Sequence, residues 1–454
     1  MIHTDVASLR NASIDDLVYT AVFSADAATK AEARKQIHML ARRSGAIPSS
    51  ILPLYRAMGC GEVARKFTVP AFNIRALTYD VARALFRAAM KNNVGPFIFE
   101  IARSEIGYTE QRPGEYAACV LAAAVKEGYT GPVFIQGDHF QASAKKWATA
   151  DGKAGEIKAL ESLIDEAIAA EFYNIDIDTS TLVDLDFETR DEQQKENYTY
   201  TAHFTKYIRA RQPQGIEISI GGEIGEVGKY NTQPDEVRAY VDGVKRELGG
   251  DPGMAKISVQ TGTSHGGVPM ADGSIAEAKI DFDVLRETTR ICREEYRIAG
   301  SVQHGASTLP EEVFNKFPEN DAVEIHLATG FQNMILDAAT LPSEMKDEIR
   351  QFCFDNCADE RKSGETDEQF VYKTRKKAIG PFKQRMWELP ADRKQPIIDA
   401  IESKFEFLMD KLAVYDTREL ALQYVPATAT ELPEYAAASE ELTAAATVDP
   451  NEGE

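Results

Sequence analysis

Between residues 67 and 330 the chain alternates short apolar runs with helical stretches, and this alternation limits its fold more than any other property. The runs lie at 68–72, 96–101, 132–136, 173–178, 217–220, 256–261, 300–303 and 322–328. Helices are predicted between them at 78–93, 114–128, 154–171, 198–211, 234–248, 282–297 and 310–317. Strands joined through helical crossovers pair in parallel, and a parallel sheet has both faces covered. Eight such units match the roughly 250 residues of a (β/α)8 barrel. An open, doubly wound sheet would need a glycine-rich nucleotide turn after its first strand, and Val69-Pro70-Ala71-Phe72-Asn73 is not one. The expected fold is therefore α/β, a (β/α)8 TIM barrel over 66–335 with extra N-terminal and C-terminal helices.

The flanks read differently. Residues 1–65 form a helical extension, with Ser13 placed to cap a first helix and an Ala-, Lys- and Glu-rich second helix stopping near Gly45 and Pro48. Residues 336–425 form a second helical region whose apolar stripe includes Ile397, Ile398, Ile401, Phe405 and Leu408, a spacing suited to core or oligomer contacts. Residues 426–454 carry seven acids and no Lys or Arg, the composition of a disordered tail. A net charge of −21 argues against nucleic acid or an anionic membrane as partner. Cys60, Cys119, Cys292, Cys353 and Cys357 show no disulfide spacing, and neither a signal peptide nor a transmembrane run is read. A cytoplasmic homo-oligomer is the expectation.

Three of the seven histidines stand where an apolar run ends: His139 in Gly137-Asp138-His139, His265 in Gly262-Thr263-Ser264-His265-Gly266, and His304 in His304-Gly305-Ala306-Ser307. Strand ends of a barrel converge on its C-terminal face, so the three imidazoles can hold one divalent ion and leave a position open for substrate. Asp138 beside His139 is placed either for proton transfer or to cap the following helix. Asp178 and Glu223 end two further runs, as hard oxygen ligands for a second cation or as salt-bridge partners. Gly266, Gly305, Ala306 and Ser307 let backbone N–H groups approach an anion. With Asn73, His326, Ala328 and Thr329 they line the region where a barrel binds phosphate.

These residues carry a resemblance. Val69-Pro70-Ala71-Phe72-Asn73, Gly137-Asp138-His139, Ile177-Asp178-Thr179-Ser180, Gly222-Glu223-Ile224-Gly225, Gly262-Thr263-Ser264-His265-Gly266 and His304-Gly305-Ala306-Ser307 occur in the order seen in the class II, metal-dependent ketose-bisphosphate aldolases. The chain resembles that family over roughly residues 66–335. The resemblance implies catalytic Zn2+ on His139, His265 and His304, a second metal site at Asp178 and Glu223, and Asp138 as proton donor. It also implies cleavage or formation of a C–C bond in a sugar phosphate similar to fructose 1,6-bisphosphate, through a zinc-stabilised enediolate. Glu226, in the glycine-punctuated loop after Glu223, is the candidate for the carbanion-forming base. Four positions depart from the family pattern. His326 stands where the family has Asn, Ala102 aligns with a phosphate-holding serine, Val268-Pro269-Met270 lacks an expected lysine, and the loop of Glu226 matches poorly. Trp147 after Gly137-Asp138-His139 is similar to the non-catalytic subunit of tagatose-bisphosphate aldolase, so an accessory role is the alternative. A Schiff-base mechanism would need a buried strand lysine; Lys256, at a strand start, is the nearest and is discounted. His326 is expected to contact substrate, with a buried, uninvolved imidazole as the alternative.

Overall fold

The computed structural model describes residues 13–224, 230–262, 280–306 and 309–427. Nine strands are formed among them: β1 (Ala46–Pro48), β2 (Val69–Asn73), β3 (Ile98–Ala102), β4 (Gly131–Gln141), β5 (Asn174–Asp178), β6 (Ser219–Glu223), β7 (Lys256–Ser258), β8 (Ser301–Gln303) and β9 (Glu324–Leu327). All pairings are parallel. From β2 to β9 each strand pairs with the next in sequence, and β9 pairs with β2, which closes an eight-stranded barrel. The fold expectation is met, with strand ends within a few residues of those read from the apolar runs.

The helical extension contains a strand that the composition of 1–65 hides. The helix Ala27–Ser44 is capped by Asp26 and ends at Gly45 in the left-handed region, φ 87°. That turn aims Ala46–Pro48 along the first three residues of β4, outside the closed ring. Tertiary pairing decides the state of this triplet, which is too short for any periodicity. The helix Leu52–Gly59 then closes the N-terminal end of the barrel, delivering Tyr55 to Glu324 on β9.

The C-terminal helices pack on the barrel's flank. Phe405, in the helix Ala391–Lys411, meets Phe72 of β2 and Phe331, each at 4.8 Å between ring centroids. One apolar cluster runs without a break from Ile14 to Val425. The stripe read from sequence is thus core, with Ile397, Ile398, Ile401, Phe405 and Leu408 all buried. Cys353 and Cys357 sit with Phe370 in a small separate cluster. No helix among the described residues is long and apolar enough to cross a membrane. The acidic segment 428–454 lies outside the described residues.

One local feature positions the site. The β4–β5 register slips between Gly137 and Phe140: two residues of β4, Asp138 and His139, face one of β5, Asp176, which makes a β-bulge. His139 adopts φ 38°, which a non-glycine residue rarely takes. Strand alternation would put neighbouring side chains on opposite faces; the bulge brings Asp138 and His139 to the same one. Gly137 makes it possible, because a Cβ there would lie 2.5 Å from the ring of the fully buried Phe140. Gly137→Ala is expected to cost about 1–3 kcal/mol through overpacking. Urea unfolding checks this; an unchanged value would mean Phe140 yields freely.

Candidate metal centre

His139 and His304 come from strand ends on opposite sides of the barrel mouth and meet with their ring centroids 4.2 Å apart and their planes tilted by 49°. Nε2 of His139 lies 2.9 Å from Nδ1 of His304. The far nitrogen of each ring is engaged: Nδ1 of His139 is 3.0 Å from Oδ2 of Asp178, and Nε2 of His304 is 2.8 Å from Oγ of Ser258. A carboxylate only accepts, so Asp178 fixes the N–H of His139 on Nδ1 and leaves the Nε2 lone pair facing inward. With His304 donating from Nε2 to Ser258, a second lone pair faces the first across 2.9 Å. Two such lone pairs repel unless a proton or a metal ion lies between them. At a zinc–nitrogen distance of about 2.0–2.1 Å, tetrahedral ligands stand roughly 3.3 Å apart. The donor set fits zinc after a shift of a few tenths of an ångström.

Asp138, 5% exposed, stands beside the two histidines, with Oδ1 3.8 Å from Nε2 of His139. Asp178 is fully used by protein donors: Ser180 N and Oγ on Oδ1 at 3.0 and 2.7 Å, and Gln141 and His139 on Oδ2 at 2.6 and 3.0 Å. Burial would raise its carboxyl, but the bond from His139 and its other donors hold it below the ordinary value. Such a carboxylate orients a ligand histidine, as outer-shell acids do in zinc sites. Glu223 lies 3.6 Å from His304 Nε2 and 4.0 Å from His139 Nδ1, and burial, aided by Asp178, pushes it up to about 8. Asp178 therefore lies against His139, and Glu223 against both histidines. Burial would lower His139, yet the carboxylates of Asp138 and Asp178 win and raise it well above its usual value. A negative pocket of this kind draws a cation.

The remaining expected residues spread around the mouth. Asn73 ends β2, its Nδ2 donating to Glu105 at 2.6 Å, and Glu105 also pairs with Arg75 at 2.5 Å. Gly305 (φ 67°) and buried Ala306 follow β8; Ala328 and Thr329 follow β9, where Thr329 opens the helix Thr329–Leu336. His265, Gly266, Glu226 and Ser307 lie outside the described residues. Gly262, three residues before His265, follows β7 beside Thr261, whose hydroxyl bonds Gln303 at the end of β8.

Sequence reading missed what lies beneath. Barrel interiors are normally filled by branched apolar residues; here Glu100 (β3), Gln136 and Asp138 (β4), Asp176 (β5), Lys256 (β7), and Glu324 and His326 (β9) share the interior, all buried. Lys256 Nζ contacts Glu324, Asp176 at 2.9 Å and Gln136 at 2.8 Å. Burial would lower Lys256, but Asp176 and Glu324 raise it, so it is an ammonium and no Schiff-base nucleophile. Burial would raise Glu324, but Lys256 and His326 hold it down to about 2. Glu100 goes the other way, pushed up to about 8 by burial and by the Asp138 carboxylate. The available signal was a polar residue in the middle of an apolar run, as in Pro96–Ala102 and Ala322–Ala328.

The raised Glu100 has a thermodynamic consequence. The folded protein keeps a proton that the unfolded chain releases above about pH 4.5, so this contribution is complete below 4.5 and is lost as pH rises through about 8. Glu223 adds a loss in the same direction. In metal-free protein the melting temperature is expected to fall across this window, and less steeply in Glu100→Gln. Equal slopes for parent and variant would remove Glu100 from the effect.

Comparison with known proteins bears on this geometry. The family model described as fructose-bisphosphate aldolase class-II matches residues 62–388. No curated protein matches the chain. Among solved structures, the fructose-bisphosphate aldolase of Campylobacter jejuni is 16% identical, with a TM-score of 0.46 over 81% of this chain and 93% of that one. The fructuronate-tagaturonate epimerase of Cohnella laeviribosi is 12% identical, with a TM-score of 0.59 over 84% of this chain and 86% of that one. The latter likeness shows the fold alone.

Proposed function

The chain belongs to the class-II fructose-bisphosphate aldolase family, a family of lyases, and on that premise we propose that it cleaves and forms a C–C bond in a ketose phosphate with the help of zinc. The observation that carries the reading is the 2.9 Å convergence of His139 Nε2 on His304 Nδ1, each ring oriented from behind by Asp178 or Ser258. His139, His304 and His265 would hold the ion. When bound, zinc supplies Lewis-acid stabilisation of the negative charge that develops at the substrate carbonyl oxygen.

The chain's own residues do the rest. In the cleavage direction Asp138 takes the proton of the hydroxyl beside the scissile bond. That hydroxyl carbon leaves as an aldehyde, and the bonding electrons stay with the carbonyl-bearing fragment. Glu226 then delivers a proton to the carbanion of that fragment, and in the condensation direction it is the base that removes it. Gly305 and Ala306 would offer backbone N–H groups to a phosphate, with Gly266 and Ser307 assigned the same role from the sequence alone, and Asn73, Ala328 and Thr329 line the same mouth. A second cation at Asp178 and Glu223 would have to displace the Ser180, Gln141 and His139 donors now on Asp178.

Two sequence positions favour a second reading. Ala102 and Val268-Pro269-Met270 offer no phosphate-binding group where the family's serine and lysine are expected. On this reading the same cleavage and re-formation of the bond, with the aldehyde turned between the two steps, would epimerise an unphosphorylated acidic ketose. That is the substrate class in the name of the Cohnella laeviribosi enzyme.

Metal analysis of the purified protein, with activity assays on ketose phosphates and ketouronates, decides between them. Zinc near one per chain and cleavage of a ketose phosphate support the first reading. Turnover of ketouronates alone supports the second. A zinc-free, inactive protein that stimulates a partner aldolase would make this an accessory subunit.

A further inference from the structure

We propose that His326 is a positioning residue that holds the carboxylate of Asp138 in place from inside the barrel. The ring is 4% exposed and both nitrogens face protein carboxylates. Nδ1 lies 3.1 Å from Asp138 Oδ1 and 3.0 Å from Glu100 Oε2; Nε2 lies 2.7 Å from Glu324 Oε1. The carboxylates of Asp138 on one side and Glu324 on the other require both nitrogens to donate, which leaves the ring no lone pair for substrate or metal. Its face is covered as well, with its centroid 4.0 Å from that of His304.

The anchor behind the ring is rigid. Glu324 is held by Lys256, by Tyr55 from the helix that closes the barrel floor, and by Gln136 Nε2 at 3.1 Å. Lys256 is held in turn by Asp176 of β5 and Gln136 of β4. Gly221 of β6 keeps room for this arrangement: a Cβ there would overlap Asp176 Oδ1 and come within 2.9 Å of Lys256 Cε. Interactions from β4, β5, β7 and β9 thus converge on one ring, and the ring presents its hydrogen bond to Asp138.

Asp138 needs such an anchor. It sits on a bulge, and Asp side chains turn freely about two bonds unless held. Proton transfer requires an oxygen within hydrogen-bond reach of the substrate hydroxyl, and a misplacement of about 1 Å can cost about 10²-fold in rate. An asparagine at position 326, the residue usual in the family, has a shorter side chain with one amide donor group and cannot bridge Asp138 to Glu324 as an imidazole does. The charged interior and the histidine therefore form one device.

The proposal rests on the reading of Asp138 as the proton-transfer residue, and its test separates the two. In zinc-loaded full-length protein, His326→Ala is expected to lower kcat for ketose phosphate cleavage by about 10²-fold, with KM and metal content within twofold of the parent. His326→Gln, which keeps one donor toward Asp138, should recover part of the loss. The second readout needs no activity. In metal-free protein carrying 13C-carboxyl aspartate, the Asp138 resonance, assigned by its disappearance in Asp138→Asn, should shift in both His326 variants. A raised KM with unchanged kcat would make His326 a substrate contact and overturn the proposal. So would an Asp138 resonance indifferent to both variants. If the parent cleaves no ketose phosphate, the functional reading falls, and the carboxyl resonance still decides whether His326 holds Asp138.

Discussion

Asp138→Ala is expected to reduce turnover by about 10²–10⁴-fold, the usual loss on removing a general acid–base group, with zinc content unchanged. The reasoning separates two neighbours that share one bulge. His139 directs Nε2 at His304, and its orientation comes from Asp178. Asp138 turns toward His326 instead, with its Oδ1 3.8 Å from the nearest nitrogen of His139. Removing it takes away a proton carrier and leaves both imidazoles supported. His304→Ala is the contrasting variant: it deletes a proposed ligand, so metal and activity should be lost together while the barrel stays folded, because the residue lies at the rim. The measurements are metal content, kcat and the far-ultraviolet circular dichroism of the three proteins. Metal loss in Asp138→Ala would make that carboxylate a ligand, and near-parent turnover would exclude it from the chemistry.

Lys256→Met should have the largest effect on stability, a loss of about 3–5 kcal/mol, the range seen when one partner of a buried ion pair is removed. Four carboxyl groups, Glu100, Asp138, Asp176 and Glu324, share the interior with two cationic side chains, Lys256 and His326. Burial raises both Glu100 and Asp176, and the neighbouring carboxylates add to it, while Glu324, in contact with both cations, is lowered. Without the ammonium, Glu324 keeps only His326 and neutral donors, and Asp176 loses its counter-ion. Urea unfolding at pH 7 measures the loss. Lys256→Met combined with Glu324→Gln should be more stable than the sum of the single changes predicts, since the second change removes a charge the first leaves unpaired. Strict additivity would show that the two do not share one network.

How much of this was open to sequence reading follows from the physics of each feature. The alternation of apolar runs with helical stretches specifies parallel pairing and, with eight units, ring closure, so the barrel was legible from residue order alone. Ring closure also places strand ends on one face, which made His139, His304, Asp178 and Glu223 readable as neighbours before any coordinate. Nothing in the sequence indicated that His139 would take φ 38°, because the bulge exists only when β4 pairs with β5 and Phe140 folds over Gly137. Strand periodicity has the same blind spot in the interior. A parallel barrel buries both faces of each strand, so apolar residues flank Glu100, Gln136, Asp176 and Glu324 on either side and period two loses its contrast. Each of these residues looked like an isolated polar exception within its own run. Closure of the ring brings them within hydrogen-bond distance of Lys256 and His326, and their ionisation follows from those few ångströms, because charges in a dry interior interact far more strongly than in water.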